Sequence, residues 1–205
     1  MLILCLDTIG RTASAALLED GTLLRLEKRD AMLDHSRTLL PLCGALLESC
    51  GKTFRDIDLY AVMAGPGSFT GIRIGMAAVK GFALAQDKPC AGISTLEAGA
   101  WGYEGEGKLC VTLRARGEEV FWALFEKKAG AVTRLGEEAV GMLPDLQAAH
   151  TDCIFVRAED TAHAGSAALC AWKQALAGKT ASCHDINPVY LKKTQAERMR
   201  EEQNK

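Results

Sequence analysis

The chain has 205 residues, 48% of them hydrophobic and 24% charged, with a net charge of −2 and a pI of about 6.1. That length accommodates one large domain or two small lobes, and the mild acidity excludes a protein that grips a nucleic acid unaided, because phosphate neutralisation needs a marked positive excess. No apolar run approaches the roughly 20 residues that span a bilayer, and Leu2–Leu6 meets a charge at Asp7 without a preceding basic region, so the expectation is a cytoplasmic protein with no membrane partner.

Leu2-Ile3-Leu4-Cys5-Leu6 reads as a buried strand, Asp7 to Arg11 as a turn and Thr12 to Leu18 as a second strand. Glu19-Asp20-Gly21-Thr22 is a hairpin signal that returns Leu23 to Arg29 as a third strand. Asp34-His35-Ser36 offers helix N-caps and Gly51 a C-terminal stop. Leu39, Leu40, Leu42, Cys43, Leu46, Leu47 and Cys50 lie between them, with Pro41 early in the helix. They cover an arc of about 160° at 100° per residue, wider than the stripe of about 100° that one-sided packing needs. The surplus predicts burial on two sides, one against the domain and one against a partner. Ile57 to Ala64 is the next strand, a glycine-rich segment leads into a helical stretch over Met76–Ala85, and Pro89 to Ser94 is a further short strand. Ser94-Thr95 caps a helix from Leu96 to about Trp101.

Gly102 to Gly107 is polar and glycine-rich, and it marks a lobe boundary. Residues 1–101 are assigned to a first lobe, residues 108–191 to a smaller second lobe and residues 192–205 to a tail. In the second lobe Leu109–Leu113, Val120–Phe125, Val132–Leu135 and Cys153–Val156 read as strands, Pro144 opens a short helix, and His163–Leu176 is a longer one. Alternating strands and helices in both lobes give an α/β class. The tail carries Lys192, Lys193, Arg198 and Arg200 and lacks apolar periodicity.

Eight cysteines occur without any C-x-x-C pair, so neither a zinc knuckle nor a thioredoxin-type redox site is signalled. Most sit in apolar runs, where a reduced thiol behaves as a small hydrophobe. The four histidines, His35, His150, His163 and His184, form no pair three or four residues apart. No metal site and no catalytic constellation is therefore assigned. Asp7 and Thr8 form either a turn or a nucleotide-proximal tip, since acidic turns bind Mg²⁺ through water in some folds.

Gly67, Gly71 and Gly75 recur every fourth residue, so a helix would carry them on one bare face. Each costs about 1 kcal/mol relative to alanine, which calls for a compensating close approach by backbone or ligand. A helix start also attracts anions. The segment has no Gly-Lys-Ser/Thr ending, and the lone Gly51-Lys52-Thr53 has Leu46 where a phosphate-binding loop requires glycine.

The segment Gly65-Pro66-Gly67-Ser68-Phe69-Thr70-Gly71-Ile72-Arg73-Ile74-Gly75 resembles the signature of the TsaB (YeaZ) family. Leu4-Cys5-Leu6-Asp7-Thr8, His35-Ser36 with Leu39-Leu40-Pro41, Ile93-Ser94-Thr95-Leu96, Arg116 to Ala123 and Pro188-Val189-Tyr190-Leu191 resemble its other motifs in order. Three positions depart from the family pattern: Ile9 where serine is usual, Arg114 where aspartate is usual, and Arg37 where an acid commonly follows His-Ser.

The resemblance implies an actin-like fold of two lobes and a non-catalytic subunit of the machinery that adds threonylcarbamoyl to adenosine beside the tRNA anticodon. It implies pairing with a TsaD-type catalytic subunit, recruitment of a TsaE-type ATPase, self-pairing through the same face when alone, and contact with tRNA only through the complex. No cofactor of its own is implied; ATP or ADP and metal belong to partner subunits or to the junction. Leu39, Leu42, Cys43 and Leu46 of the first helix, with Gly71, Arg73, Gly75 and Ala78 of the second, are the expected partner-interface residues. An actin-like small-molecule kinase and a stand-alone homodimeric binding module are the alternatives. A peptidase reading finds no legible nucleophile and base pair.

Overall fold

The computed structural model describes residues 1–30 and 34–192. The tail cations Lys193, Arg198 and Arg200 lie outside the described residues; Lys192 lies within them.

The first sheet has five strands in the order β3-β2-β1-β4-β5. These are β1 (Leu2–Asp7), β2 (Thr12–Glu19), β3 (Thr22–Asp30), β4 (Leu59–Gly65) and β5 (Cys90–Ser94). The opening meander is antiparallel, with Asp7 opposite Ser14, whereas β4 and β5 join in parallel. The 19–22 hairpin turns at Asp20 and Gly21, both with positive φ.

Strand periodicity divides this sheet between two cores. Leu2, Leu4, Leu6, Tyr60 and Val62 point to one face, and Ile3, Cys5, Leu59, Ala61 and Met63 to the other. The first face carries α1 (His35–Ser49) and α2 (Phe69–Gln86). The second carries α6 (Ala164–Leu176). Two covered faces explain why β1 and β4 are continuous apolar runs rather than alternating ones.

The second sheet runs β10-β6-β7-β8, with β9 also paired to β7. Its strands are β6 (Gly107–Arg116), β7 (Glu119–Lys128), β8 (Ala131–Arg134), β9 (Ala139–Met142) and β10 (Ile154–Arg157). β9 was not anticipated, because Ala-Val-Gly-Met is too short and too weakly β-forming to announce itself. Two short helices, α4 (Leu143–Ala149) and α5 (Ala158–Thr161), flank this sheet. Between the sheets lies α3 (Thr95–Gly102), which packs on α5, α6 and β6. Lys127 caps its C-terminal end by donating to the carbonyls of Ala100, Trp101 and Tyr103.

The sequence order of the lobes differs from their packing in one respect. The helix expected in the second lobe, α6, buries Ala164, Ala167, Ala168, Cys170 and Ala171 against the first sheet. Its run of small residues lets the helix lie close to the strands, which the second sheet does not offer it. Beyond α6 the chain stays on the first sheet: Ala181 bridges Cys90, Ile186 enters the core, and the Val189 amide donates to the Ala64 carbonyl at 2.7 Å.

Candidate functional site

Two features follow from this arrangement: a cleft between the sheets and the outward side of α1 and α2. The cleft holds about 1430 Å³. Its walls come from the β1–β2 turn, the start of α2, the β6–β7 hairpin, α5 and the segment 189–192.

Asp7 sits at the base of the cleft and is buried. One carboxyl oxygen accepts from the Ile9 amide at 2.9 Å, and the other from the Ser14 hydroxyl at 3.2 Å. Ser14 in turn accepts from the Ala164 amide at 3.1 Å, which ties β1, β2 and the start of α6 together. Burial pushes the Asp7 carboxyl up to about 6, against the opposing pull of those two hydrogen bonds. The Thr8 hydroxyl donates to the Gly71 carbonyl at 2.6 Å. Asp7 and Thr8 thus do turn work. The Ile9 side chain fills the space beside Gly67: a Cβ on Gly67, whose φ is +152°, would lie 2.1 Å from Ile9 Cγ2. Ile9 thus puts an apolar branch at this tip, beside a carboxylate whose two oxygens each accept one hydrogen bond.

The glycine periodicity has its reason in the same turn. A Cβ on Gly71 would stand 1.9 Å from the Thr8 carbonyl oxygen, and one on Gly75 would stand 2.7 Å from the Thr8 hydroxyl. These glycines, expected at a partner face, admit the tip of β1 to the body of α2. Ser68 caps the helix by accepting from the Gly71 amide at 3.2 Å, so α2 begins seven residues before the Met76 start expected from sequence.

The remaining expected interface residues separate into core and surface. Leu39, Leu42, Cys43 and Leu46 are core residues, each no more than 1% exposed. Most of the arc is buried inside this chain, against β2, β3 and α2, and of its residues Leu40 alone is strongly exposed. Ala78 is half-buried against the same core. The outward side of α1 carries Leu40, Pro41 and Ala45, and that of α2 carries Arg73, Ala77, Gly81, Leu84 and Ala85. Leu40 is 53% exposed and Leu84 64%. No atom lies within 4 Å of where a Cβ on Gly44 or Gly81 would stand.

Arg73 links this outward side to the cleft. Its guanidinium stacks 3.7 Å from the centre of the Phe69 ring, and its Nε donates to the Tyr190 hydroxyl at 3.0 Å. Tyr190 packs on Phe69 with ring centres 4.7 Å apart, and Lys192 pairs with Glu119 of β7. Segment 189–192 therefore straps the two sheets across the cleft. The sequence placed Arg73 on this face but carried no sign of Tyr190 as its partner, 117 residues away.

Three of the histidines have structural tasks. His35 is buried with Nε2 2.9 Å from the Gly10 carbonyl, and its Nδ1 has no partner among the described residues. The His163 ring nitrogen accepts from the Gly165 and Ser166 amides and caps α6. His150 packs on Trp122.

The sequence model of the family described as TsaD, tRNA N6-adenosine threonylcarbamoyltransferase, matches residues 29–197. The chain belongs to that family, on its TsaB (YeaZ) branch. It is 35% identical over 146 residues to the tRNA threonylcarbamoyladenosine biosynthesis protein TsaB of Escherichia coli, covering 70% of this chain and 62% of that protein. It is 32% identical over 146 residues to TsaB of Bacillus subtilis, covering 71% and 64%. The chain thus matches somewhat under two thirds of the length of these relatives. Among solved structures, YeaZ from Pseudomonas aeruginosa superposes with a TM-score of 0.80 at 27% identity, covering 93% of this chain and 99% of that one. The expected α/β class is borne out by the two mixed sheets, and the fold is shared with YeaZ.

Proposed function

We propose that this chain is a non-catalytic subunit of the machinery that adds threonylcarbamoyl to adenosine in tRNA, pairing with a TsaD-type catalytic subunit through the outward side of α1 and α2 and helping to recruit a TsaE-type ATPase. The observation that carries the reading is that outward side. Leu40, Pro41, Ala45, Ala77, Gly81, Leu84 and Ala85 put apolar and small residues on the exposed sides of two adjacent helices, among Arg37, Glu48 and Arg73. Small residues let a second pair of helices approach closely, as ridge-and-groove packing requires, and contiguous exposed apolar surface marks interaction sites. Family membership supports the pathway. The turn at Asp7, engaged internally and flanked by Ile9, supports leaving ATP, ADP and metal to partner subunits or to the junction.

The test is size exclusion with light scattering on a mixture with the TsaD-type protein of the same organism. The expected result is a one-to-one heterodimer that is lost in a Leu40→Gln/Leu84→Lys variant that still melts cooperatively, since both side chains are more than half exposed and both replacements are good helix formers. Substituting Leu42 or Leu46 would instead unfold the chain. Absence of a complex at micromolar concentrations, with and without ATP and the ATPase, removes the reading and leaves the stand-alone homodimer, which the same run detects.

A further inference from the structure

We infer that the mouth of the interlobe cleft is an RNA-contact surface, with Arg11, Arg114 and Arg116 holding phosphodiester groups of the RNA on which the complex works. The inference rests on the subunit reading above and adds to it a surface distinct from the α1 and α2 side.

Arg11 belongs to the β1–β2 turn of the first lobe, and Arg114 and Arg116 lie at the end of β6, before the tip of the β6–β7 hairpin of the second. All three are exposed and line the same cleft. Among the described residues none of the three guanidinium groups has an ion-pair partner. Elsewhere Arg25, Arg37, Arg134 and Arg157 each face a carboxylate. Three nearby acids are engaged elsewhere: Glu159 accepts from the Arg114 backbone amide at 2.7 Å, Glu119, opposite Arg116 in the hairpin, holds Lys192, and the Asp7 oxygens accept from Ile9 of the turn and Ser14 of β2. Glu118, at the hairpin tip, is exposed and leaves the three arginines in excess there.

Guanidinium groups left unpaired at a cleft are suited to phosphate, which they bind in a charge-assisted, often bidentate manner. Unpaired arginines on two separate lobes suit an extended polyanion better than a single small anion. The net charge of −2 means that such a patch adds to a complex rather than binding RNA strongly alone, because affinity follows the number of neutralised phosphates.

The experiment titrates fluorescent tRNA with the heterodimer of this chain and its TsaD-type partner over a range of salt concentrations. Wild type is compared with Arg11→Ala/Arg114→Ala/Arg116→Ala and with a charge-matched control, Arg29→Ala/Arg55→Ala/Lys128→Ala. Light scattering first verifies that each heterodimer forms. The expected outcome is that the cleft variant binds tRNA on the order of tenfold more weakly at low salt, and that its plot of log affinity against log salt is shallower by about 2 to 3, roughly 0.9 for each lost phosphate contact. The control should match wild type. Equal affinity and slope in the cleft variant, with its heterodimer intact, overturn the inference and leave the subunit reading standing. Loss of ATP binding in the cleft variant, measured in parallel without change for tRNA, also overturns it and reassigns the arginines to a small nucleotide. Failure of the wild-type chain to form the heterodimer removes both.

Discussion

At the scale of single residues, the glycines of α2 separate two uses of a missing side chain. Gly71 has ordinary helical φ, so its identity is not a backbone matter; the Thr8 carbonyl simply occupies the volume of a methyl group. Gly71→Ala forces the β1 turn off the helix, breaks the Thr8 hydrogen bond to the Gly71 carbonyl, and should cost about 3 kcal/mol or more, as overpacking against backbone does. Gly81 faces open space, so Gly81→Ala should stabilise by about 1 kcal/mol through helix propensity alone. Denaturant midpoints of the two variants check both signs. Sequence spacing showed that the glycines share a face and need a close neighbour. It did not show that the neighbour is Thr8, 63 residues earlier, because a bare helix face looks the same whether a strand tip or another subunit covers it. The leucines of α1 failed in the same way: the arc reports how much of a helix is buried, never by which chain.

At the scale of elements, most boundaries were legible because their signals are local. The hairpin at Asp20-Gly21, the Gly51 stop with φ of 63° and the Ser94 cap of α3 each lie within a few residues of the element they end or begin. The placement of α6 was not legible, since alanines at helical spacing fit against either sheet. Its cap carries a pH dependence. The His163 nitrogen accepts two amide hydrogens, a task that needs the neutral ring, and burial lowers its pKa, with the Lys28 charge acting in the same direction. A histidine with a depressed folded value takes up its proton first in the unfolded chain. Its contribution is therefore complete above the ordinary value of about 6.5 and is lost as pH falls. Asp7 works in the opposite sense: raised to about 6 by burial, it erodes stability as pH rises from about 4. The two slopes oppose each other between about pH 4 and 6. The His163→Asn variant keeps a cap without the titration. Below pH 6 it should lose less stability than wild type in urea melts across that range. Parallel pH profiles for the two proteins would show that the cap does not titrate.

At the scale of the whole molecule, packing dictates which of the eight thiols can react, six of them belonging to the two cores of the first sheet. Cys5, Cys43, Cys90, Cys110 and Cys170 are buried, whereas Cys50, Cys153 and Cys183 are partly exposed. Burial pushes Cys43 and Cys110 up to about 12 and Cys90 to about 11, and it raises Cys5 and Cys170 well above the ordinary thiol value. A thiol at 12 is about 10⁻⁴ thiolate at pH 8, and the thiolate is the nucleophile. A burial-independent protein would release colour from Ellman's reagent at all eight sites in native buffer. Here Cys50 and Cys183 should react promptly at pH 8, Cys153 more slowly because burial and the Asp152 charge raise its pKa, and the other five only in denaturant, with that last phase following global unfolding rather than reagent concentration. The five span both sheets: Cys5 and Cys90 lie in the first, Cys110 in the second, Cys43 on α1 and Cys170 on α6. Their release therefore reports whether the lobes open together. A single slow phase for all five means that α3 and the 189–192 strap hold the two sheets as one cooperative unit. Early release of Cys110 alone would mean that the second sheet, anchored by α3 and by Lys192 on Glu119, opens first.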